Sequence, residues 1–320
     1  MRLTMWRVLT VALTVTVLSV FSFSGTVGAA EAYPTKPISI VVPFNAGGAV
    51  DVTIRIISEV AEKSLGQKIL VVNKPGAGAA EGQGFVARAK ADGYTLLAAS
   101  SSLVTNTLTK KVDFTVDSFA PVILYNFDPE VMFVSASSSA KTIEELINRA
   151  KKEPVSHATP GHSTSHHLAA LILEKMTGAK FKFVHTKGGA EQVPLVAGGH
   201  AECMLGVWGE SRGMVEQKKL IPLAVMSSAR DSRFPSVPTF KEKGWDINYG
   251  AWRGITAPSG TPKEILEKLS QAFKKALESP EVKDKFAKAD YTIMVKGPAE
   301  FGAYLKKDFE NNKSIVELLK

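Results

Sequence analysis

The residues best suited to chemistry fall in two short segments. Residues 41–51 read VVPFNAGGAVD. The apolar run of Ile38, Ile40, Val41 and Val42 ends at Pro43, a loop carrying Gly47 and Gly48 follows, and Asp51 opens a predicted helix as its N-cap. A strand, a glycine turn and a helix start bring backbone N–H groups together where an anion can be held. The stretch lacks the third glycine of G-x-G-x-x-G and the Gly-Lys-Ser/Thr ending of a P-loop, so both nucleotide fingerprints fail.

The second segment is GHSTSHH, residues 161–167. Its spacing is G-x-S-x-S and not the G-x-S-x-G of a nucleophile elbow. His166 could stand near a serine hydroxyl, yet no third partner is assignable. His162 and His166 are four apart, as a zinc pair on one helix face would be, with His157, His185 and His200 nearby in sequence. Neither Cys203 nor an acid falls at a metal-ligand spacing. A secreted hydrolase or zinc-binding protein built on the His/Ser cluster at 157–167 is therefore the alternative function. The plainer reading has Ser163 or Thr164 capping a helix whose first turn carries the histidines.

The elements that must position these segments alternate β-rich runs with helix-period runs, the pattern of α/β architecture. The strand candidates are ISIVVPF, KILVVN, YTLLAAS, FAPVILY, EVMFVSA, KFKFVHT, ECMLGV, IPLAVMS and a run near TIMVK. In the helix after Asp51, Val52, Ile56 and Val60 form a stripe with Ile57 and Ala61 beside it. Thr142 with Glu145, and Thr261 with Glu264, read as capping boxes, the second with Pro262 at the first helical position. A helix then carries Ile265, Leu266, Leu269, Phe273 and Leu277 on one face, and a final one starts near Pro298. Ligand sites in open α/β sheets lie where strands run into helices. The loops FNAGGAVD, AASSSLVTN and ATPGHSTSHHL have that placement, and their hydroxyls and N–H groups suit a carboxylate.

Composition narrows the setting. Arg2 and Arg7 precede an apolar stretch from Val8 to Phe23 and small residues at SGTVGAA, the three-part pattern of a secretory leader over residues 1–30, cleaved around 29–32. The formal charge of +8 drops to +6 without the two leader arginines. The remaining Lys and Arg are scattered, not clustered as on a nucleic-acid surface. Cys203 is the single cysteine, so an intramolecular disulfide is excluded and the fold rests on its core. Trp208, Trp245 and Trp252 could line a cleft, although aromatics at such positions more often serve packing.

Taken in order, seven stretches carry a resemblance over almost the whole length after the leader. They are YPTKPISIVVPFNAGGAVD, NKPGAGAAEG, ADGYTLLAAS, STSHHLAA, HTKGGAEQVPLVAGGHAECM, LAVMSSARDSRFPSVPTFKEKG and APSGTP. The sequence resembles the substrate-binding proteins of the tripartite tricarboxylate transporter family, also called Bug receptors. The resemblance implies a two-domain periplasmic binding protein of the type II-like, Venus-flytrap kind. It implies an α/β fold in which each domain is a mixed sheet flanked by helices. The expected domains are 33–128 plus 246–320, and 129–245, with the ligand cleft between them. It implies a small organic carboxylate as ligand, with no enzyme activity, cofactor or metal. The expected partners are a two-subunit membrane permease and a sensor kinase, for a monomeric receptor that binds no nucleic acid.

The resemblance also assigns residues. One ligand carboxylate is expected on the loop Phe44, Asn45, Ala46, Gly47 and Gly48 with Asp51, partly through ordered waters. Further contacts are expected from Ser100, Ser101 and Ser102 and from Ser163, Thr164, Ser165 and His166. Lys187, Gly188 and Gly189 are expected to close the pocket from the second domain. The chain departs from the family at Thr186, where tyrosine is usual, and at LGVWGE, where an Asp-Asn or Asp-Ser pair is usual. Gly206 and Trp208 there are expected to face an apolar or aromatic part of the ligand, with Glu210 or Arg212 compensating for the missing acid.

Overall fold

The computed structural model describes residues 33–318, so the expected leader lies outside the described residues. All elements below belong to the compact unit Lys36–Lys320. Apolar five-residue runs make β1 (Ile38–Val42) and β2 (Ile69–Asn73), joined by helix α1 (Ala49–Leu65). Helix α2 (Ala80–Ala87) leads to β3 (Thr95–Ser100), and α3 (Ser102–Thr109) leads to the long β4 (Phe119–Pro129). Strand β10 (Gly250–Pro258) arrives late in the chain and completes a sheet of order β2-β1-β3-β10-β4. β1 is parallel to β2 and β3, whereas β10 is antiparallel to both its neighbours.

The second sheet repeats the plan. It contains β5 (Val131–Ser135), β6 (Val155–Thr159), β7 (Phe181–His185), β8 (Cys203–Gly206) and β9 (Leu220–Val225), in the order β7-β6-β8-β5-β9. β6 is parallel to β7 and β8, and β5 is antiparallel to β8 and β9. Helices α4 (Ile143–Lys152), α5 (Ser165–Thr177), α6 (Gly189–Ala197) and α7 (Trp208–Glu216) connect these strands. Beyond β10 come α8 (Lys263–Glu278), α9 (Pro280–Lys288) and α10 (Pro298–Leu318). This is the expected α/β class of two mixed sheets flanked by helices.

The inner strands of each sheet are packed on both faces, whereas Leu70 and Val72 of the edge strand β2 are exposed. Along β5, Met132 and Val134 enter one apolar cluster with Leu146, Leu173 and Phe240. Val131 and Phe133 enter another on the opposite face, with Met204, Trp208 and Phe234. Such period-two partition is what a strand buried on both faces requires. Cys203 is fully buried. Around the first sheet, Leu97, Leu124, Trp252, Phe301 and Leu305 share a core.

The chain crosses between the sheets twice, and the crossings are stitched together. Only Glu130 separates β4 from β5; its N–H donates to the Tyr249 carbonyl (3.1 Å), and Met226 N–H donates to the Glu130 carbonyl (2.7 Å). The descending and returning connections thus bond to each other beside a fully buried glutamate.

Several local expectations need correction. Asp51 is not the N-cap of α1: Gly48 holds that position, and Asp51 reaches back from the first turn to accept the Gly47 N–H (3.0 Å). Of the expected face of α1, Ile57, Val60 and Ala61 are buried as read, while Val52 and Ile56 are half-buried and Ile54 takes their place in the core. Helices α8 and α9 also pack on α1, so its apolar surface is wider than a single stripe. The Thr142–Glu145 capping box forms, with Glu145 N–H donating to Thr142 Oγ1 (3.2 Å) and Thr142 N–H to Glu145 Oε2 (3.2 Å). The Thr261–Glu264 box does not, because Pro262 is the N-cap and the Thr261 hydroxyl donates to the Pro258 carbonyl (2.7 Å). The run near TIMVK gives one bridge, Leu124 with Lys296, and no strand.

Gly254 shows how tightly the interior strand β10 is held. A Cβ there would lie 2.6 Å from Phe301 Cζ and 2.8 Å from the Ile123 carbonyl oxygen. Gly254→Ala is predicted to lower unfolding stability by about 1–3 kcal/mol through overpacking. Urea titration checks this, and a midpoint equal to the parent's would refute it.

Candidate functional site

Between the two sheets lies a small pocket of about 40 Å³, partly open to solvent. Its walls come from the ends of strands and the first turns of helices. Phe44 follows β1, and Ala49 and Val50 open α1. Ser100 ends β3 and Ser102 opens α3; Thr164 and Ser165 stand at the start of α5, with His166 next. Gly189 opens α6 and Glu210 lies in the first turn of α7. Ala251, Trp252 and Arg253 complete the wall from β10. Helix first turns carry unbonded N–H groups and the positive end of the helix dipole, so their convergence favours an anion.

The hydroxyls on this wall are held in place. Ser100 and Ser102 hydroxyls lie 2.8 Å apart, and Gln83 Nε2 donates to Ser102 Oγ (3.0 Å). Asn106 Nδ2 in turn donates to Gln83 Oε1 (2.8 Å). Thr164 is the N-cap residue of α5, but its hydroxyl donates to the Gly161 carbonyl (2.9 Å) instead of capping the helix.

Charge is concentrated in the buried part of the site. Arg253 is 3% exposed and its Nη1 donates to Asn126 Oδ1 and to Asp128 Oδ2, the latter at 3.1 Å. Asp128 also faces Arg233 at 3.4 Å. The His166 Nδ1 lies 2.6 Å from both carboxylate oxygens of Glu130. Its Nε2 is 4.0 Å from Glu210 Oε2. Burial alone would depress the His166 imidazole, but the carboxylates of Glu130 and Glu210 outweigh burial and raise it. Glu210 Oε1 accepts the Ala49 N–H at 2.6 Å, so a side chain from beyond the cleft occupies one donor of α1.

The sequence-predicted residues divide as follows. Phe44, Ser100, Ser102, Thr164, Ser165, His166 and Gly189 line the pocket. Gly48 borders it, since a Cβ there would lie 3.5 Å from Glu210 Oε1. Others serve the frame. Asn45 N–H donates to the Lys187 carbonyl (3.3 Å) and its side chain to Glu191. Lys187 itself is exposed, whereas Gly188 is buried behind Phe44 and Asn45. Ala46 and Gly47 are exposed or nearly so and lie outside the pocket wall. Asp51 faces Arg55 and Asn73; burial would raise its carboxyl, but the bonds from Arg55, Gly47 and Asn73 hold it below the usual range. Ser101 Oγ accepts the Trp252 N–H (2.9 Å) and belongs to the sheet. Ser163 bonds His162 Nδ1 (2.7 Å) in a separate surface hollow with Thr105 and Leu168.

Gly206 and Trp208 stand outside the pocket wall. Gly206 lies beside Met204 and Ser211 within the second sheet's packing. Trp208 stacks on Phe234 at 4.3 Å and packs on Phe133 in the apolar core. Trp208 is therefore not part of the pocket wall, whereas Glu210, one half-turn on, is. Glu130, Asp128 and Arg253 were missed altogether. Arg253 sits in GAWRGITAP, whose arginine and glycines mask a nine-residue strand buried throughout.

The His/Ser cluster splits: His166 lines the pocket, His157 lies in the second sheet, and His162 and Ser163 stay together with His167 and His185. His157 is fully buried in β6 and accepts the Leu205 N–H at Nε2 (3.1 Å); burial, then His167 and His166, depress it to about 3. His162 precedes α5 and packs on His167 and His185, not on His166. Among the described residues no group of three or more His, Cys, Asp or Glu could hold a metal ion, and no helix is long and apolar enough to cross a membrane.

Residues 53–320 match the model for the tripartite tricarboxylate transporter family receptor. The UPF0065 protein in the gbd 5' region of Cupriavidus necator is 32% identical over 91% of this chain and 89% of its own. Protein BugT of Bordetella pertussis is 29% identical over 90% of each chain. Among solved structures, the periplasmic binding protein BugD superposes with a TM-score of 0.85 at 27% identity, covering 90% of this chain and 98% of that one.

The raised His166 has a pH consequence. A group whose pKa is raised on folding stabilises fully below its unfolded value and loses that contribution as pH rises through the folded value. The depressed His157 and His167, both at about 3, finish their opposite contribution by the ordinary histidine range. Lys110, lowered to about 8 by burial, acts only above that pH. Between about pH 6.5 and 8 the stability gap between the parent and His166→Gln is therefore predicted to shrink as pH rises. Urea midpoints at half-unit pH steps test this; a constant or widening gap would contradict it.

Proposed function

Because the chain belongs to the tripartite tricarboxylate transporter receptor family, we propose that it is an extracytoplasmic solute receptor holding a small organic carboxylate between its two sheets. The observation that carries the reading is the convergence of first turns: Ala49 of α1, Ser102 of α3, Ser165 of α5 and Gly189 of α6 all face one pocket. The lobes are taken as 33–128 plus 246–320, and 129–245. The carboxylate would rest on Ser100, Ser102, Thr164, Ser165 and the amides at the start of α1. No bond is made or broken. A ligand touching both walls favours the closed arrangement by its differential affinity for it.

Micromolar affinity corresponds to about −8 kcal/mol. Partly buried helix termini contribute up to about 2 kcal/mol of that, and hydrogen bonds with burial of the ligand body supply the rest. The working setting is the periplasm after removal of the leader. A monomeric closed receptor docks on a two-subunit integral membrane permease, and the same closed form is suited to report ligand to a sensor kinase.

A thermal-shift screen of mono-, di- and tricarboxylic and aromatic acids tests the receptor reading. A ligand at 100 times its dissociation constant adds about 2.7 kcal/mol of apparent stability. Ser165→Leu, which places an apolar branch in the wall, is predicted to abolish the shift while preserving the melting point without ligand to within a few degrees. If no acid shifts the parent protein, the receptor reading fails. For delivery, cellular uptake of a hit compound should vanish on deletion of the gene; undiminished uptake would remove the transport role.

A further inference from the structure

A second hollow, of about 420 Å³, is formed by β4, the segment before β10 and α10, and shares no lining residue with the pocket between the sheets. Phe127, Tyr249 and Tyr304 line it with half-buried rings, and Asp308 stands one turn beyond Tyr304. Gly250 leaves room for the Phe127 ring, since a Cβ there would lie 2.5 Å from its Cζ. Among the described residues Asp308 is bonded by neutral donors alone. Trp252 Nε1–H donates to its Oδ2 (2.8 Å) and Asn312 Nδ2–H to its Oδ1 (3.0 Å). The Tyr249 hydroxyl donates to Asn312 Oδ1 (3.0 Å) and so holds that amide in place. By contrast, the buried Asp51, Asp128 and Glu130 face Arg55, Arg253 and His166. No described Lys or Arg lines the hollow around Asp308. Burial raises its carboxyl to about 6 against the lowering bonds from Trp252 and Asn312, so it is ionised at neutral pH.

We propose that this hollow binds a small organic ammonium, its charge set against Asp308 and its carbons against the rings of Phe127, Tyr249 and Tyr304. A poorly solvated carboxylate without a counter-charge gains most from a cation. Aromatic faces attract the same cation through their ring quadrupoles. Other ligands leave one wall unmatched. An anion is repelled by Asp308, and a neutral apolar molecule leaves the carboxylate uncompensated. A bare metal ion trades its water for rings that cannot ligate it. The hollow is separate from the carboxylate pocket, so its ligand adds to a solute held between the sheets and does not replace it.

Asp308 holds the cation only when ionised. Its titratable neighbours are Tyr249 and Tyr304, both raised by burial and then by Asp308, and so neutral around pH 7. Glu130 acts on Tyr249 from the strand crossing and raises it further. With Asp308 at about 6, binding is full in mildly alkaline solution. Below that value it weakens by about tenfold per pH unit, as the proton and the ammonium compete for one carboxylate.

Isothermal titration of the full chain with two matched pairs tests the proposal: choline with 3,3-dimethylbutan-1-ol, and butylammonium with butan-1-ol. At about pH 7.5 an ammonium member should bind about tenfold or more tightly than its uncharged partner. Asp308→Asn, which keeps an acceptor for Trp252, should weaken that ammonium about tenfold or more and remove the pH dependence. Tyr304→Leu should weaken it severalfold and leave the pH dependence in place. If neither ammonium binds, or if Asp308→Asn binds it as the parent does, the proposal is overturned. Displacement of the ammonium by an equal concentration of potassium chloride would overturn it too, by making the hollow a plain counter-ion site. Should Asp308→Asn not fold, the matched pairs and a pH series on the parent protein decide alone. Equal affinity within each pair, or binding that is constant from about pH 5 to 7, then overturns it.

Discussion

The arrangement depends on charge kept dry at the crossing between the sheets. Glu130 is fully buried where β4 becomes β5, and its carboxylate holds the His166 ring from the start of α5. Two residues earlier, Asp128 faces Arg253 of β10 and Arg233 of the returning connection. Buried ions add little net stability even when paired, and are costly when one partner is removed. What they add here is position: both walls of the pocket are referred to the same point on the chain. The backbone bonds linking Glu130, Met226 and Tyr249 lock that point.

From that reference the two sheets present equivalent ends. Each has parallel strands that feed helices through short loops, and each is completed by one antiparallel strand arriving from the other side. The parallel strands deliver helix N-termini to one edge of their sheet, and the facing edges enclose the pocket. Polar side chains there are held by secondary partners such as Gln83 for Ser102 and Glu130 for His166. The pocket therefore keeps its hydroxyl pattern without a conventional salt bridge at every corner.

Much of this was legible in the sequence where local pattern and tertiary role agree. β1, β2, β3, β5 and β9 are short apolar runs bounded by polar turns, and they read as strands. The Thr142–Glu145 box is a purely local device and forms as read. The losses occur where the decisive partner is distant. Asp51 looks like an N-cap until Gly48 takes that place and Asn73 claims its carboxylate. Trp208 looks like a wall residue until Phe234, far along the chain, stacks on it. β6 and β10 carry His, Ser and Arg that are buried only because their partners come from other elements. The site was half visible: its serines and His166 stand in recognisable loops, while Arg253 and Glu130 look like strand and turn residues until the fold pairs them.

One feature of the topology bears on how the chain is made. β10 lies between β3 and β4, yet it follows them by more than a hundred residues, with the whole second sheet intervening. A nascent chain that has emerged only as far as β9 has β3 and β4 with no strand to join them. The second sheet, by contrast, has all its strands in one continuous stretch. Assembly from the first residue onward therefore finishes the middle of the molecule before the beginning. A cut anywhere between β4 and β10 separates a sheet from its own interior strand.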